Sequence, residues 1–252
     1  MDNNIFNLKN KIVVVSGSNG QLGKSICEFM INLGSIVIGI DLENSNENIS
    51  RYYNLDITKS EDVNIVFKNI YNEFGRIDVL INNAGVSTFE PFEIRPEEKF
   101  DWVMDVNLKG TFNCIQSLTN LFDSNKQDKA SIVNIASIYG LISPDFRIYT
   151  DLDRKNSEIY GATKAGIIQM SKYFAVYLAE RNIRCNSVSP GGIFNPENPQ
   201  GQDFISKYSE RCPMKRMANS EEIIGAIVYL SSDLASYTTG QNITVDGGTS
   251  AW

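Results

Sequence analysis

Short β-branched runs alternate with longer amphipathic segments along most of this chain. The runs are Ile12–Ser16, Ile36–Ile40, Val79–Ile81, Ser131–Ile135, Arg184–Val188 and Asn242–Val245. Most are apolar at consecutive rather than alternate positions, the pattern of a strand covered on both faces. Between them, helical spacing predicts Gln21–Asn32, Glu61–Phe74, Lys99–Phe122, Glu158–Glu180 and Ser220–Leu230. In the third of these, Val103, Val106, Phe112, Ile115, Leu118 and Phe122 keep one face. Strand–helix alternation implies parallel βαβ units with right-handed crossovers. The expected fold is α/β, a doubly wound parallel sheet in three layers. Ligands in such folds bind beyond the carboxyl ends of the strands.

A chain of 252 residues suits one such domain. The four cysteines are scattered with no C-x-x-C pair, which gives neither a zinc spacing nor a disulfide framework. No histidine is present, so His-based triads and His-ligated metals are excluded, and no metal is expected. A net charge of −7 argues against a nucleic-acid surface. The opening residues lack the apolar core of a secretion signal, and no run approaches the ~20 residues of a membrane span. A soluble cytoplasmic protein is expected.

After the first run comes "SGSNGQLG", Ser16 to Gly23, with glycines at Gly17, Gly20 and Gly23. The spacing G-x-x-G-x-x-G differs from the G-x-G-x-x-G dinucleotide fingerprint. Its context, strand then helix, is the one a phosphate site requires: helix amides face the pyrophosphate and glycines let the backbone approach. An ordinary strand-to-helix turn would carry the same glycines. Asp41 strengthens the dinucleotide reading, because it ends the second run 18 residues after Gly23. A carboxylate there accepts the adenine-ribose hydroxyls and repels a 2′-phosphate. No Lys or Arg lies in the surrounding "GIDLENSNEN" or in the glycine turn, so NAD is expected over NADP on a Rossmann-type sheet.

"YGATK" places Tyr160 and Lys164 at i, i+4 on one helix face. A nearby ammonium favours the phenolate and lowers the pKa of a tyrosine, which would make it an acid–base group near neutrality. Such a pair also arises by chance on exposed helices.

Further segments in order complete a resemblance to the short-chain dehydrogenase/reductase family that spans nearly the whole chain. They are "NLDIT" with Asp56, "INNAG", "DVNLKGTF" with Asn107, "IVNIASIYG" with Ser137, "YGATKAG", "NSVSPGGIF" and "TGQNITVDGG". The resemblance implies that Tyr160 is the general acid–base and that Lys164 holds the nicotinamide ribose and tunes Tyr160. Ser137 would bond the substrate oxygen, and Asn107 would hold a water linking Lys164 to solvent. For the cofactor it implies contacts from Gly17, Ser18, Asn19, Gly20, Gln21, Leu22, Gly23, Asp41, Asp56, Ile57, Asn83, Ala84 and Gly85. Tyr160, Lys164, Pro190, Gly191 and Ile193 complete that set. Family members are dimers or tetramers, so a homo-oligomer is implied as well.

Three departures from the family pattern carry information. Gln21 stands where a glycine is usual. Asn195 replaces the usual threonine near the nicotinamide carboxamide, and the polar residues 193–212 read as a mobile lid. Ser137 and Tyr160 are 23 positions apart against about a dozen in the family, so "PDFRIYTDLDRKNSE", residues 144–158, is an insertion. It is either a solvated surface loop or a part of the substrate pocket. In the second case Arg147, Arg154 and Lys155 are expected to meet a polar substrate, phosphorylated ones included.

The C-terminal half and the unusual glycine turn resemble dehydrogenases of bacterial loci that make flagellin-modifying, sialic-acid-like sugars. That resemblance implies NAD-dependent oxidation of a sugar or sugar-phosphate hydroxyl. The alternatives are a 3-oxoacyl carrier-protein reductase, or a catalytically silent NAD-binding scaffold.

Overall fold

The computed structural model describes residues 6–43, 49–125, 127–150 and 155–252. Its strands are β1 (Ile12–Ser16), β2 (Ile36–Asp41), β3 (Arg51–Asn54), β4 (Val79–Asn82), β5 (Ala130–Ile135), β6 (Ile183–Pro190) and β7 (Asn242–Val245). They form one seven-stranded sheet in the order β3-β2-β1-β4-β5-β6-β7. Every pairing is parallel. The helices are α1 (Gln21–Asn32), α2 (Ser60–Phe74), α3 (Glu97–Met104), α4 (Thr111–Asn125), α5 (Glu158–Tyr177), α6 (Gln202–Arg211) and α7 (Ser220–Ser231).

Strand β1 shows why the apolar runs are continuous. Ile12 and Val14 join Phe67, Ile115 and Leu118 in the core beneath α2 and α4. Val13 and Val15 join Ile26, Met30, Ile223 and Ile227 beneath α1 and α7. Alternate side chains thus fill two separate cores, the doubly wound arrangement expected. Chain order reverses between β1 and β4, which opens a crevice at the carboxyl ends of those strands.

Three elements depart from the sequence reading. Strand β3 was not anticipated, because "RYYN" lies half exposed at the sheet edge and lacks an apolar run. Residues 193–212, expected as a polar lid, contain the ten-residue helix α6, with Phe204 and Tyr208 buried on one face. The single long helix expected over Lys99–Phe122 is α3 and α4 joined by a π turn, Asp105–Gly110. A π turn adds a residue to the repeat, so positions on its two sides no longer share one 3.6-residue face. Val103, Ile115, Leu118 and Phe122 are buried as expected, but Phe112 is exposed. The same turn carries Asn107, which is fully buried.

Candidate active site

The glycine turn is built around one backbone crossing. Gly17 has φ +66°, and a β-carbon on it would lie 2.7 Å from the Ala84 Cα. A β-carbon on Gly23 would lie 2.0 Å from the Gly17 carbonyl oxygen. Gly20 has no such constraint, since its nearest contact would be 3.5 Å away. The essential spacing is therefore Gly17 to Gly23, and the odd middle glycine is incidental. Asn83 braces the turn by donating from Nδ2 to the Gly17 carbonyl at 2.9 Å. Helix α1 starts at Gly20 with no side-chain cap and no acidic residue in its first turn. Its leading amides and positive dipole end therefore face a crevice suited to an anion.

Gln21 does not occupy that crevice. Its Nε2 donates to the Phe194 carbonyl at 2.6 Å and to Ser220 Oγ at 3.2 Å, tying α1 to the segment before α6 and to α7. Ser18 is buried against Gly39 and lines no cleft beside the turn.

Two clefts run along the carboxyl edge and share Asn83 and Gly85. The first, about 380 Å³, is lined by Gly17, Asn19, Gly20, Asp41, Asp56, Ile57, Ala84, Trp102 and Val106 among others. Asp41 accepts the amides of Asn19 and Leu42, both at 2.8 Å, which fixes its carboxylate at the end of β2. Asp56 accepts the Thr58 amide at 2.9 Å. Two carboxylates and no cation line this cleft among the described residues. The glycine crossing, the uncapped helix start and this acidic cleft fit the phosphates, ribose and adenine of a dinucleotide.

The second cleft, about 440 Å³, brings together Leu22, Ser137, Tyr160, Lys164, Pro190, Gly191 and Ile193 from the expected set. Ser137 follows β5, and Ser157 caps α5 by accepting the Tyr160 amide at 3.3 Å. Tyr160 and Ser137 line the same cleft, with the Ser137 hydroxyl close enough to act on the Tyr160 phenol. Lys164 is buried and donates to the Ile135 carbonyl at 2.8 Å. Burial lowers the Lys164 pKa to about 8. Burial raises that of Tyr160, against which the Ser137 hydroxyl pulls down. The lowering of Tyr160 expected from Lys164 is thus not seen in the ligand-free protein, where desolvation dominates and the opposing influence comes from Ser137.

Asn107 lines neither cleft. Its Oδ1 accepts the Val86 amide at 2.8 Å, and its Nδ2 donates to the Val86 carbonyl and to Thr163 Oγ1, each at 3.0 Å. The side chain clamps the segment after β4 to α5, one residue before Lys164.

The described residues of the insertion, 144–150 and 155–158, do not form a wholly solvated loop. Ile148 and Tyr149 pack with Phe204, Tyr208, Cys212 and Met217 in a small core of their own. An ion pair from Asp145 to Arg211, and Thr150 bonded to both Asp203 and Lys207, fasten it to α6. Together the insertion and α6 roof the second cleft, contributing Tyr149, Asn156, Phe204 and Tyr208 to its lining. Of the cations expected to face substrate, the two described do not. Arg147 turns back to Asp145 at 2.9 Å, and Lys155 lies over the Phe146 ring. Arg154 lies outside the described residues. Asn195 caps its own turn by accepting the amides of Glu197 and Asn198. Sequence reasoning missed Phe204 and Tyr208, although their i, i+4 spacing in "QDFISKYS" was a signal.

A family model described as "Enoyl-(Acyl carrier protein) reductase" matches residues 40–250. The 3-oxoacyl-[acyl-carrier-protein] reductase of Thermotoga maritima is 35% identical over 96% of this chain and 98% of its own. The chain belongs to the short-chain dehydrogenase/reductase family. This dehydrogenase/reductase is also 37% identical to a short chain dehydrogenase from Leptospira borgpetersenii solved with bound NAD+. The TM-score is 0.89, covering 96% of this chain and 93% of that one. Post-translational flagellin modification protein A of Campylobacter coli is 29% identical over 96% of this chain and 98% of its own. Membership makes the protein a nicotinamide-dependent oxidoreductase. No helix among the described residues is long and apolar enough to cross a membrane.

Proposed function

We propose that this chain is an NAD-dependent dehydrogenase that oxidises a secondary hydroxyl of a neutral, hydroxylated small molecule of the sugar class. The observation that carries the reading is Asp41, fixed by two backbone amides in a cleft without cations. That arrangement accepts ribose hydroxyls and disfavours a 2′-phosphate. The NAD+ bound by the Leptospira relative and the flagellin-modification relative are in keeping with it. In the substrate cleft Lys164 is the lone charged side chain among the described lining residues, and it is already bonded to Ile135. Among the described residues the lining therefore favours an uncharged substrate, since Arg147 and Lys155 do not enter it.

When bound, NAD supplies the hydride acceptor. Gly17, Gly20 and the start of α1 would hold its phosphates, Asp41 and Asp56 its adenosine half, and Lys164 and Ile193 its nicotinamide half. Tyr160 takes the proton from the substrate hydroxyl, and Ser137 donates to the same oxygen and orients it. The positive charge of Lys164 favours the phenolate. Asn107 keeps α5 in register with the loop after β4. Phe112, Phe174, Tyr173 and Tyr177 form a linked aromatic patch on α4 and α5, with Phe112, Tyr173 and Tyr177 exposed. This patch supports a homo-oligomer.

The second reading, reduction of a 3-oxoacyl thioester, is favoured by the Thermotoga relative. Purified protein is assayed with NAD and NADP against sugars, polyols and sugar phosphates, and with NADH and NADPH against an acetoacetyl thioester. Tyr160→Phe serves as the blank. NAD-linked oxidation of a neutral polyol or sugar is the expected result. Thioester reduction with no alcohol turnover would replace this reading by the second.

A further inference from the structure

The geometry points to Asn156 as a second substrate-binding group, one that receives a hydroxyl of the substrate other than the one oxidised. The inference rests on the proposed reading of the cleft as an alcohol site. Asn156 lies in the insertion and lines the cleft beside Tyr160 and Ser137. Its Oδ1 is shut off from solvent and has no hydrogen-bond partner.

Every other polar side chain of that lining is engaged among the described residues. Asn83 holds Gly17, and Ser137 accepts the Tyr139 amide. Tyr139 and Tyr149 bond each other at 3.2 Å. Gln200 bonds Asn195 and Ile193, and Tyr208 accepts the Gly192 amide. A buried amide oxygen without a partner is costly, and because Asn156 as a whole is only half-buried, a turn of its amide about the side-chain bond presents either edge to the cleft it lines. A primary amide offers both a donor edge and an acceptor edge, and a hydroxyl is the small neutral group that satisfies either. A substrate with a single oxygen function leaves Asn156 unpaired, whereas a polyol or sugar ring does not. The insertion thereby acts as a selector for substrates with more than one hydroxyl.

The test compares cyclohexanol with 1,2-, 1,3- and 1,4-cyclohexanediol in the full-length wild-type protein and in Asn156→Leu, a change of similar size without polar atoms. kcat/KM with NAD is measured, together with binding of each alcohol to the protein–NADH complex. The dissociation constant of NADH reports whether the variant is folded. In the wild type at least one diol should exceed cyclohexanol by about tenfold or more, the size of effect a buried unpaired polar group produces. In Asn156→Leu that ratio should fall to near one, with NADH binding retained. A wild-type ratio near one, or a diol preference that survives in the variant, would overturn the proposal.

If no alcohol is oxidised by either protein, the dehydrogenase reading fails on its own. The binding ratios then decide the subsite: a diol preference lost in Asn156→Leu supports it, and equal binding or none overturns it. Should Asn156→Leu fail to bind NADH, Asn156→Ala is put through the same comparison.

Discussion

Lys164 Nζ lies 5.6 Å from the centre of the Tyr160 ring, yet it spends its hydrogen bond on the Ile135 carbonyl 2.8 Å away. The cation is therefore held beside the tyrosine ring from a position fixed by β5. Its burial lowers its pKa to about 8, from 10.5 in an exposed lysine. Between these values the unfolded chain binds more protons than the folded one, so stability from this group rises with pH. Tyr160, whose pKa is raised above 10, opposes this only at higher pH. Between pH 8 and 9.5 the ligand-free wild type should gain up to about 2 kcal/mol relative to Lys164→Met. Urea unfolding at the two pH values measures it. A difference that does not change with pH would show that Lys164 titrates normally.

Tyr160→Phe keeps the ring and its packing but removes the proton carrier. Turnover should fall about 10³-fold or more, while NADH affinity changes little. Ser137→Ala removes the hydroxyl beside Tyr160 and should cost about 10²-fold in kcat. Steady-state kinetics with NADH titration separates the two quantities. A Tyr160→Phe enzyme within tenfold of wild type would assign the proton transfer to another group.

Most of the fold was legible because a doubly wound sheet buries its strands on both faces, and runs such as Ile12–Val15 admit few other arrangements. The cofactor half of the site was legible for a related reason: Asp41 and the glycine turn sit at strand ends, where position in the chain dictates position in space. The substrate half was not. Asn156 and Tyr149 reach the cleft only because the insertion folds onto α6, through long-range contacts such as Ile148 and Tyr149 with Phe204. No local pattern encodes such contacts. The π turn at Asn107 was equally silent, because one added backbone residue shifts a helical face without changing residue types.

The Asp41 carboxylate is the sequence's clearest statement about the cofactor. Asp41→Asn keeps the side-chain shape and one acceptor for the Asn19 or Leu42 amide, but removes the charge that repels a 2′-phosphate. The ratio of NADP to NAD in kcat/KM should rise by about tenfold or more, mostly through KM. Paired initial rates at saturating substrate measure it. An unchanged ratio would place cofactor choice elsewhere, and the NAD assignment would lose its main support.

The glycine turn yields the most local prediction. A methyl on Gly23 would lie 2.0 Å from the Gly17 carbonyl oxygen, a backbone atom that cannot move without opening the turn. Gly20 has φ −68°, open to any residue, and a methyl there would meet only the Gly17 oxygen at 3.5 Å. Gly23→Ala should therefore weaken NADH binding by about a hundredfold or more, since the helix amides lose their aim at the phosphates. Gly20→Ala should stay within a few-fold, apart from about 1 kcal/mol of capping stability. NADH fluorescence titration of both variants, with circular dichroism as a check on folding, gives the comparison. Equal losses would mean that the middle glycine is needed for close approach of the cofactor itself. The turn would then be a three-glycine cradle rather than the two-glycine crossing seen between α1 and β1.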